Sequence, residues 1–358
     1  MPSVEVLKSK KVCRFEKVYY DEMMTGRYNS IDLFKFIMAF AVVAIHTHPL
    51  EDCTNRSMLA AYDSVVSMAV PFFFLASGFL LARKMRWPYF DNRENAERLV
   101  RYLKRIIGMY LTWTVVYLPL ALYHFKTSGN SPGGAAFLYL RGFLFIGEQY
   151  NSWHLWYLLS SIYALLVVYI LLFTFKKSST KALLLLSIIA SVFSVGLSVL
   201  ATCEGNMPFM LQRIRTLVSY TICNGRILTG MIYIPIGMIL AHRKIPAAVN
   251  VPVLIIGYSA SFFINSSVLS HYLLILTSIA FFGVIEEIRI RNNSVYPRLG
   301  RMSKTIYLTH MYIWTFYYTI VYGKPSYGID CFLVTSVAAI LICVLAEYVK
   351  NKKTLQSQ

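Results

Sequence analysis

Two basic side chains lie within one apolar stretch of the sequence, where lipid makes ionisable groups costly. Lys35 and His46 are eleven residues apart in the segment IDLFKFIMAFAVVAIHTHPL (31–50). At about 100° per residue, this spacing puts both side chains on one face of an α-helix, roughly 16 Å apart along its axis. Ionisable groups inside a membrane span are functional candidates by default. The pair therefore indicates a cation near one membrane boundary and an imidazole deep in the protein, where it can act as a general base.

Asp32 lies one helical turn before Lys35 and is expected to form an ion pair with it. Simpler interpretations of both basic residues stay open. Lys35 fits a side chain that extends to the lipid headgroups, and His46 fits a packed histidine bonded to a neighbouring helix. Neither simpler interpretation explains why the two occur together on one face.

A second cationic surface is predicted where the chain enters a later span. Four basic residues recur there at intervals of three and four, which places them on one helix face: Arg98, Arg101, Lys104 and Arg105. Such a face suits phosphate groups, and it suits anionic lipid headgroups equally well. Before it, the segment PFFFLASGFLL (71–81) contains Ser77 beside Gly78, which gives either a small notch for close helix contact or room for a substrate group.

Further polar groups occur at the starts and centres of other apolar runs. The segment SWHLWYL (152–158) contains His154 and Trp156, Asn224 lies at the mouth of a later run, and His310 lies near the middle of another. The tryptophans also fit an aromatic belt at the membrane interface. We expect His310 to belong to the reactive site, and His154, Trp156 and Asn224 to contact a substrate.

The composition shows what kind of element must hold these residues. Of 358 residues, 57% are hydrophobic and 15% are charged, against roughly 45–50% and about 25% in soluble domains. A soluble globular protein is therefore excluded, and a polytopic all-α membrane bundle is predicted. Ten spans are expected: 31–50, 64–83, 103–123, 153–175, 181–201, 227–241, 250–265, 268–285, 303–322 and 330–349. The apolar stretch 135–147 is too short to cross and is expected to be re-entrant or interfacial.

The distribution of Lys and Arg predicts the orientation. Of the 35 such residues, 27 fall on alternate segments that include both termini, seven fall on the opposite side, and Lys35 remains inside a span. By the positive-inside rule both termini are cytoplasmic. The net charge of +18 is thus assigned to topology and anionic lipid rather than to nucleic acid. The domains expected are a cytoplasmic segment 1–30 with no cleavable signal, a transmembrane domain 31–349 and a cytoplasmic basic tail 350–358.

The six cysteines form no Cys-x-x-Cys pair, so no metal site is expected. Cys203 and Cys223 fall on the predicted outer side, where a disulfide between them would persist. Free thiols are the other interpretation.

These motifs together resemble acyltransferase family 3, the bacterial integral membrane O-acyltransferases. The family's Arg-x10-His signature on the first span is matched by Lys35 and His46, and its "IDxLR" start by Ile31-Asp32. Its "FFxxSGFL" element is matched by Phe73 to Leu80, "RRxxRI" by Arg101 to Ile106, "HLWFL" by His154 to Leu158, and "YLxH" by Tyr307 to His310. The segment 224–237 resembles the membrane domain of the vancomycin-resistance serine racemases. Those proteins also carry a soluble racemase domain, and racemase chemistry is not expected of the residues up to Gln358.

The resemblance implies a multi-pass enzyme of the bacterial plasma membrane that moves an acyl group, usually acetyl, from cytoplasmic acyl-CoA to a hydroxyl acceptor. The acyl-CoA phosphates would meet Lys35, Arg101, Lys104 and Arg105. His46 would be the general base, and Ser77 or His46 itself is a candidate acyl carrier. Lys35 departs from the family's Arg, and it keeps the charge but loses the planar two-pronged donor.

The acceptor stays open between lipopolysaccharide, capsule, a peptidoglycan-type glycan or other polysaccharide, a secreted sugar and an amino acid. Two other classes are weighed against the enzyme. A transporter or flippase of an amino acid or lipid-linked sugar would also use buried polar groups, but no pair of repeated halves is visible. A structural or sensory membrane protein leaves the pairing of Lys35 with His46 unexplained.

Overall fold

The architecture is that of a computed structural model. It describes residues 28–87, 92–129, 131–147, 152–175, 178–202, 208–221, 225–264 and 266–356. Within them the chain forms helices α1 (Asn29–Thr47), α2 (Arg56–Val66), α3 (Ala69–Ala82), α4 (Arg93–Thr127), α5 (Pro132–Arg141), α6 (Trp156–Thr174), α7 (Ser179–Thr202), α8 (Phe209–Thr221), α9 (Thr229–Leu240), α10 (Ala247–Ala260), α11 (Ser267–Glu287), α12 (Val295–Val321) and α13 (Ile329–Gln356).

The prediction of a polytopic helical membrane protein is confirmed. Seven of the described helical segments are long and apolar enough to cross a bilayer. The other three predicted spans fall on helices outside this set of seven. Spans 227–241 and 250–265 correspond to the shorter apolar helices Arg226–Leu240 and Ala247–Ala260. Span 303–322 corresponds to α12, whose first turns carry several basic residues. The stretch 135–147 falls on α5 and on the short π-helix Gly142–Ile146 that follows it. Together they are too short to span a bilayer.

The predicted second span lies across α2 and α3. Ser67 and Met68 separate the two helices but keep right-handed helical backbone angles, so Arg56–Ala82 forms one candidate span of 27 residues. Asn55 begins α2 by accepting a hydrogen bond from the Met58 amide, the usual role of an N-cap side chain. The long helix α4 begins in the same way, with Asn92 accepting from the Asn95 amide.

Close backbone contacts fix α3 against α9. A Cβ atom at Gly78 would overlap the Ile234 carbonyl, and one at Gly237 would overlap the Leu75 carbonyl. Small residues that let helix backbones approach are typical of membrane bundles. The notch that the sequence suggested at Ser77-Gly78 is therefore a packing contact at Gly78, and this contact determines where the neighbouring Ser77 hydroxyl lies.

The first helix packs along α12, and α13 packs against both. Small and apolar residues of α1, among them Ala39 and Val43, are fully buried with Ile306 of α12 and Ala339 of α13. This pairing brings the two halves of the sequence together. It places the C-terminal end of α1, which carries His46, beside the middle of α12, which carries His310.

Candidate functional site

A cavity of about 620 Å³ lies at the end of the bundle where α1, α4 and α12 begin and α3 ends. The charge distribution predicts this end to be cytoplasmic. Its lining contains six basic side chains: Lys35, Lys84, Arg98, Arg101, Arg105 and Lys304. Of the residues that the structure describes, no aspartate or glutamate lines it. The cavity therefore suits a polyanion.

The basic residues differ in how far their charge is already balanced. Arg98 forms an ion pair with Glu94 at 2.5 Å, one turn earlier on α4. Arg101 donates to the Glu97 backbone carbonyl at 3.3 Å, and the Arg105 guanidinium lies 5.1 Å from the centre of the Tyr102 ring. In the described part of the chain neither Arg101 nor Arg105 has a carboxylate partner. Their charge remains available to an anion.

Lys104 is placed differently from its neighbours. It is exposed and does not line the cavity, whereas Arg101 and Arg105 do. The predicted four-residue cationic face thus contributes three members to the cavity. The remaining positive charge comes from Lys35 and from Lys84 and Lys304, and the sequence did not single out the last two.

Lys35 and Asp32 form the expected pair, with 3.3 Å between the ammonium nitrogen and Oδ1. Both side chains are largely buried, with exposures of 19% and 22%. The Asp32 carboxylate lies against Gly300 of α12, where an added Cβ would come within 2.5 Å of Oδ1. Gly300 itself lines the cavity, so the absence of a side chain there leaves room for the ion pair at its wall.

The inner end of the cavity is aromatic and hydroxyl-bearing. Phe73, Ser77, Tyr157 and Tyr307 all line it. The Ser77 and Tyr157 hydroxyls are 3.0 Å apart, and the rings of Tyr157 and Tyr307 are centred 5.5 Å apart. These hydroxyls are the polar groups that a molecule would meet at this depth.

Three histidines lie beyond this aromatic wall. The ring of His310 is centred 5.2 Å from that of His46 and 5.1 Å from that of His154. His310 and His154 are fully buried, while His46 is partly exposed. Tyr307 joins the two regions, because it lines the cavity while its hydroxyl donates to the His154 carbonyl.

Hydrogen bonds orient the central histidine of this cluster. The Nδ1 atom of His310 lies 2.7 Å from the Tyr307 carbonyl oxygen. Its Nε2 atom is buried and has no hydrogen-bond partner among the described residues. In the described part of the chain, no group of three or more His, Cys, Asp or Glu side chains is arranged so that it could hold a metal ion.

Aromatic and basic side chains surround the cluster on its other side. Trp153 is 39% exposed and lies 6.4 Å from His46 between ring centres. Trp156 is partly buried, and the Arg226 guanidinium lies 5.8 Å from the centre of its ring. Asn224, Cys203 and Cys223 lie outside the described residues.

The sequence did not identify Tyr157 or Tyr307 as functional, although both stand inside motifs that it did identify. One feature of the sequence pointed to both tyrosines. Tyr157 is three residues from His154 and Tyr307 is three residues from His310, a spacing that puts each tyrosine about one helical turn from a histidine on the same face. Tyrosine is common in this chain, so the spacing alone did not distinguish these two from aromatic residues of the packed core.

The sequence of this chain is similar to a known protein family and to several curated proteins. The family model described as "Acyltransferase domain" matches residues 28–348. Two curated amino-acid racemases of Enterococcus faecalis are 33% and 35% identical over 164 and 149 residues, which cover 45% and 42% of this chain and 21% and 20% of theirs. A serine/alanine racemase of Enterococcus gallinarum is 31% identical over 151 residues, 41% of this chain and 20% of that protein. The chain thus spans about a fifth of the length of these relatives, and no solved structure matches it significantly.

Proposed function

This chain belongs to the acyltransferase family whose model matches residues 28–348, and from that premise we propose that it moves an acetyl group from acetyl-CoA to a hydroxyl acceptor at the cell envelope. The observation that carries the proposal is that two regions lie next to each other and share Tyr307. A cationic cavity at the predicted cytoplasmic end reaches Tyr307, whose hydroxyl bonds to the backbone of the histidine cluster.

Acetyl-CoA enters from the cytoplasm, and its phosphates bind the basic side chains at the wide end of the cavity. Arginine suits phosphate because its planar group donates two parallel hydrogen bonds. Lys35, held by Asp32 at 3.3 Å, contributes a point charge deeper along the same wall. The thioester then extends toward Ser77 and Tyr157.

Chemistry takes place where the inner end of the cavity meets the histidine cluster. His46 removes the proton from the acceptor hydroxyl as its oxygen attacks the thioester carbonyl. The Tyr157 hydroxyl donates a hydrogen bond to the developing oxyanion. The carbon–sulfur bond then breaks, and the CoA sulfur takes the proton from His46. For the thioester to reach His46, the aromatic side chains that separate the cavity from the cluster must move aside.

The acceptor approaches from the predicted outer side, where Trp153 is exposed next to His46. An exposed tryptophan suits the apolar face of a sugar ring, which favours a glycan or secreted sugar. The relatives are named as racemases that act on amino acids, including serine, and this adds a small hydroxyl amino acid to the candidates. The bacterial plasma membrane, with cytoplasmic CoA on one side, is the location that fits this path.

Inverted membrane vesicles, whose cytoplasmic face points outward, provide the test. Vesicles that contain the chain and receive radiolabelled acetyl-CoA outside should accumulate acetylated material inside, while vesicles from the same cells without the chain should not. Uptake of labelled serine or sugar by the same vesicles without any acyl donor would instead support the transporter. Mass spectrometry of the enclosed material identifies the acceptor.

A further inference from the structure

A second cavity, of about 460 Å³, lies between the start of α2 and the end of α10. Helix α2 follows the C-terminal end of α1, and the charge distribution predicts that this end of the bundle faces outward. The Tyr62 hydroxyl of α2 donates to the Ala44 carbonyl at 2.8 Å, which ties α2 to the part of α1 that carries His46. The Ser64 and Ser261 hydroxyls are 2.7 Å apart and tie α2 to the end of α10. Hydrogen bonds thus hold together the two walls of this cavity, the outer groove.

One wall of the outer groove is cationic and bears hydroxyl groups. Arg56 and Ser57 come from the first turn of α2, and Ser259 comes from the last turn of α10. Arg56 is exposed. Among the described residues, Glu51 and Asp52 of the preceding loop neither line the groove nor form an ion pair with Arg56. The guanidinium charge is therefore available to an anion, and its planar pair of donors suits phosphate.

The other wall of the outer groove is aromatic. Tyr258 and Phe262 line it with ring centres 5.3 Å apart. Phe263 lines it as well and is 83% exposed. Leaving so large an apolar side chain in water is unfavourable. Contact with hydrocarbon would remove that cost, so this wall suits the apolar part of a ligand.

The aromatic wall continues into a lipid-facing stripe along α10. Ile255 and Ile256 are 60% and 66% exposed, and they precede Phe262 and Phe263 by seven residues, about two helical turns on the same face. Hydrogen bonds of the helical type continue the turn beyond Ala260. A bare phosphate ion would leave this stripe without a contact, whereas an amphiphile would use both the stripe and the guanidinium.

We propose that the outer groove binds a lipid of the outer leaflet that carries a phosphate headgroup. The phosphate oxygens accept hydrogen bonds from Arg56 and from the Ser57 and Ser259 hydroxyls. The hydrocarbon chain lies against Phe262 and Phe263 and runs along α10. This assignment does not depend on acetyl transfer, because it uses other residues and another surface of the bundle.

A photoreactive lipid tests the proposal at the site itself. Phosphatidic acid with a diazirine in one acyl chain is added to the purified chain in a nonionic detergent and illuminated, and mass spectrometry measures the label on residues 255–263. Diacylglycerol with the same diazirine chain lacks the phosphate. We expect about fivefold less label with diacylglycerol, as the loss of one exposed charge pair predicts. Equal labelling by the two lipids would overturn the proposal and leave only apolar contact.

Substitutions identify the group that recognises the phosphate. Arg56→Gln should lower labelling by phosphatidic acid about fivefold, and Arg56→Lys should keep most of it because the charge remains. Arg213→Gln is the matched control. Arg213 is also an exposed arginine on the predicted outer side, with its guanidinium 4.7 Å from the Phe209 ring centre, but it does not line the groove. Equal labelling of the parent and Arg56→Gln, or an equal loss in Arg213→Gln, would overturn the proposal.

Competition distinguishes a lipid from a free anion. Unlabelled phosphatidylglycerol should displace the photoreactive lipid from residues 255–263, whereas inorganic phosphate at the same concentration should not. Displacement by inorganic phosphate alone would overturn the proposal, since the groove would then take a soluble anion. Arg56 is exposed, so the melting temperature of Arg56→Gln without lipid should equal that of the parent, which separates a lost contact from a loss of folding.

Discussion

The cationic cavity and the histidine cluster differ in how much each depends on a single residue. The cavity has six basic side chains from four segments of the chain, and some of them, such as Arg101 and Arg105, are exposed. The cluster has three rings, of which those of His154 and His310 are fully buried, and a bond to the Tyr307 carbonyl holds His310. Attraction of a polyanion adds over many partly screened charges, whereas proton transfer needs one group in one place. We therefore expect a single substitution in the cavity to lower donor binding only slightly, and a single substitution in the cluster to lower the reaction rate strongly.

The largest effect is expected from His46→Asn, which removes the proposed base. Acetyl transfer should fall by about 10²-fold to 10⁴-fold, the usual contribution of general acid–base catalysis, with little change in the KM for acetyl-CoA. His48→Asn is the matched control, because His48 is exposed on the same turn of chain and has a positive φ of 42°, a conformation that asparagine tolerates. Retained activity in His46→Asn would exclude His46 as the base. It would also show that the histidine cluster does not depend on a single residue more strongly than the cavity does.

Tyr307→Phe tests the link between the two regions. The substitution keeps the ring but leaves the buried His154 carbonyl without the hydroxyl that donates to it, which should cost about 1–3 kcal/mol of stability. We expect roughly a tenfold lower kcat, because the turn that carries His154 is no longer tied to α12. Thermal unfolding in detergent, compared with kcat, checks both effects.

The control for this substitution is Tyr163→Phe, which removes a hydroxyl bonded to the Leu144 carbonyl at 2.7 Å. Tyr163 lies on the same helix as Tyr157 but away from the cavity and the histidines. It should lower stability by a smaller amount, about 1 kcal/mol, and leave kcat unchanged. A matching loss of kcat in both variants would mean that general loosening of the bundle, rather than the link at Tyr307, limits the reaction.

Much of the architecture could be predicted from the sequence because the membrane leaves few choices. Long apolar runs must form helices, and the spacing from Lys35 to His46 puts both on one face of the first. What could not be predicted is which helices pack together. The approach of His46 to His310 depends on the pairing of α1 with α12, and nothing in either segment specifies the other.

The cavity illustrates the same limit at the level of single residues. Helical spacing grouped Lys104 with Arg101 and Arg105, since residues three and four apart share a face. A helix face covers a wide arc, however, and the neighbours of α4 decide which part of that arc borders the cavity. Lys84 and Lys304 enter the lining from other segments, and their contribution requires the tertiary arrangement.

The double substitution Arg101→Gln with Arg105→Gln measures how much of the donor affinity the cavity charges supply. Exposed ion pairs contribute about 0.2–1 kcal/mol each, so the KM for acetyl-CoA should rise about tenfold while kcat at saturation stays the same. Raising the salt concentration should weaken donor binding to the parent chain more than to the double variant, because screening acts on the same charges. A fall in kcat without a change in KM would place these arginines in the chemistry and blur the distinction between the two regions.

The smallest effect separates neighbours on one helix. Arg101→Gln should raise the KM for acetyl-CoA about two- to fivefold, as expected for one partly screened charge among several, whereas Lys104→Gln should leave it unchanged. Both residues are exposed, and their spacing of three residues puts them on one face of α4, but only Arg101 lines the cavity. The pair also distinguishes a bound donor from general attraction to the membrane surface, because lipid headgroups would respond to the loss of either charge alike. Equal effects of the two substitutions would show that net charge near the bilayer, and not the shape of the cavity, brings the donor to this end of the protein.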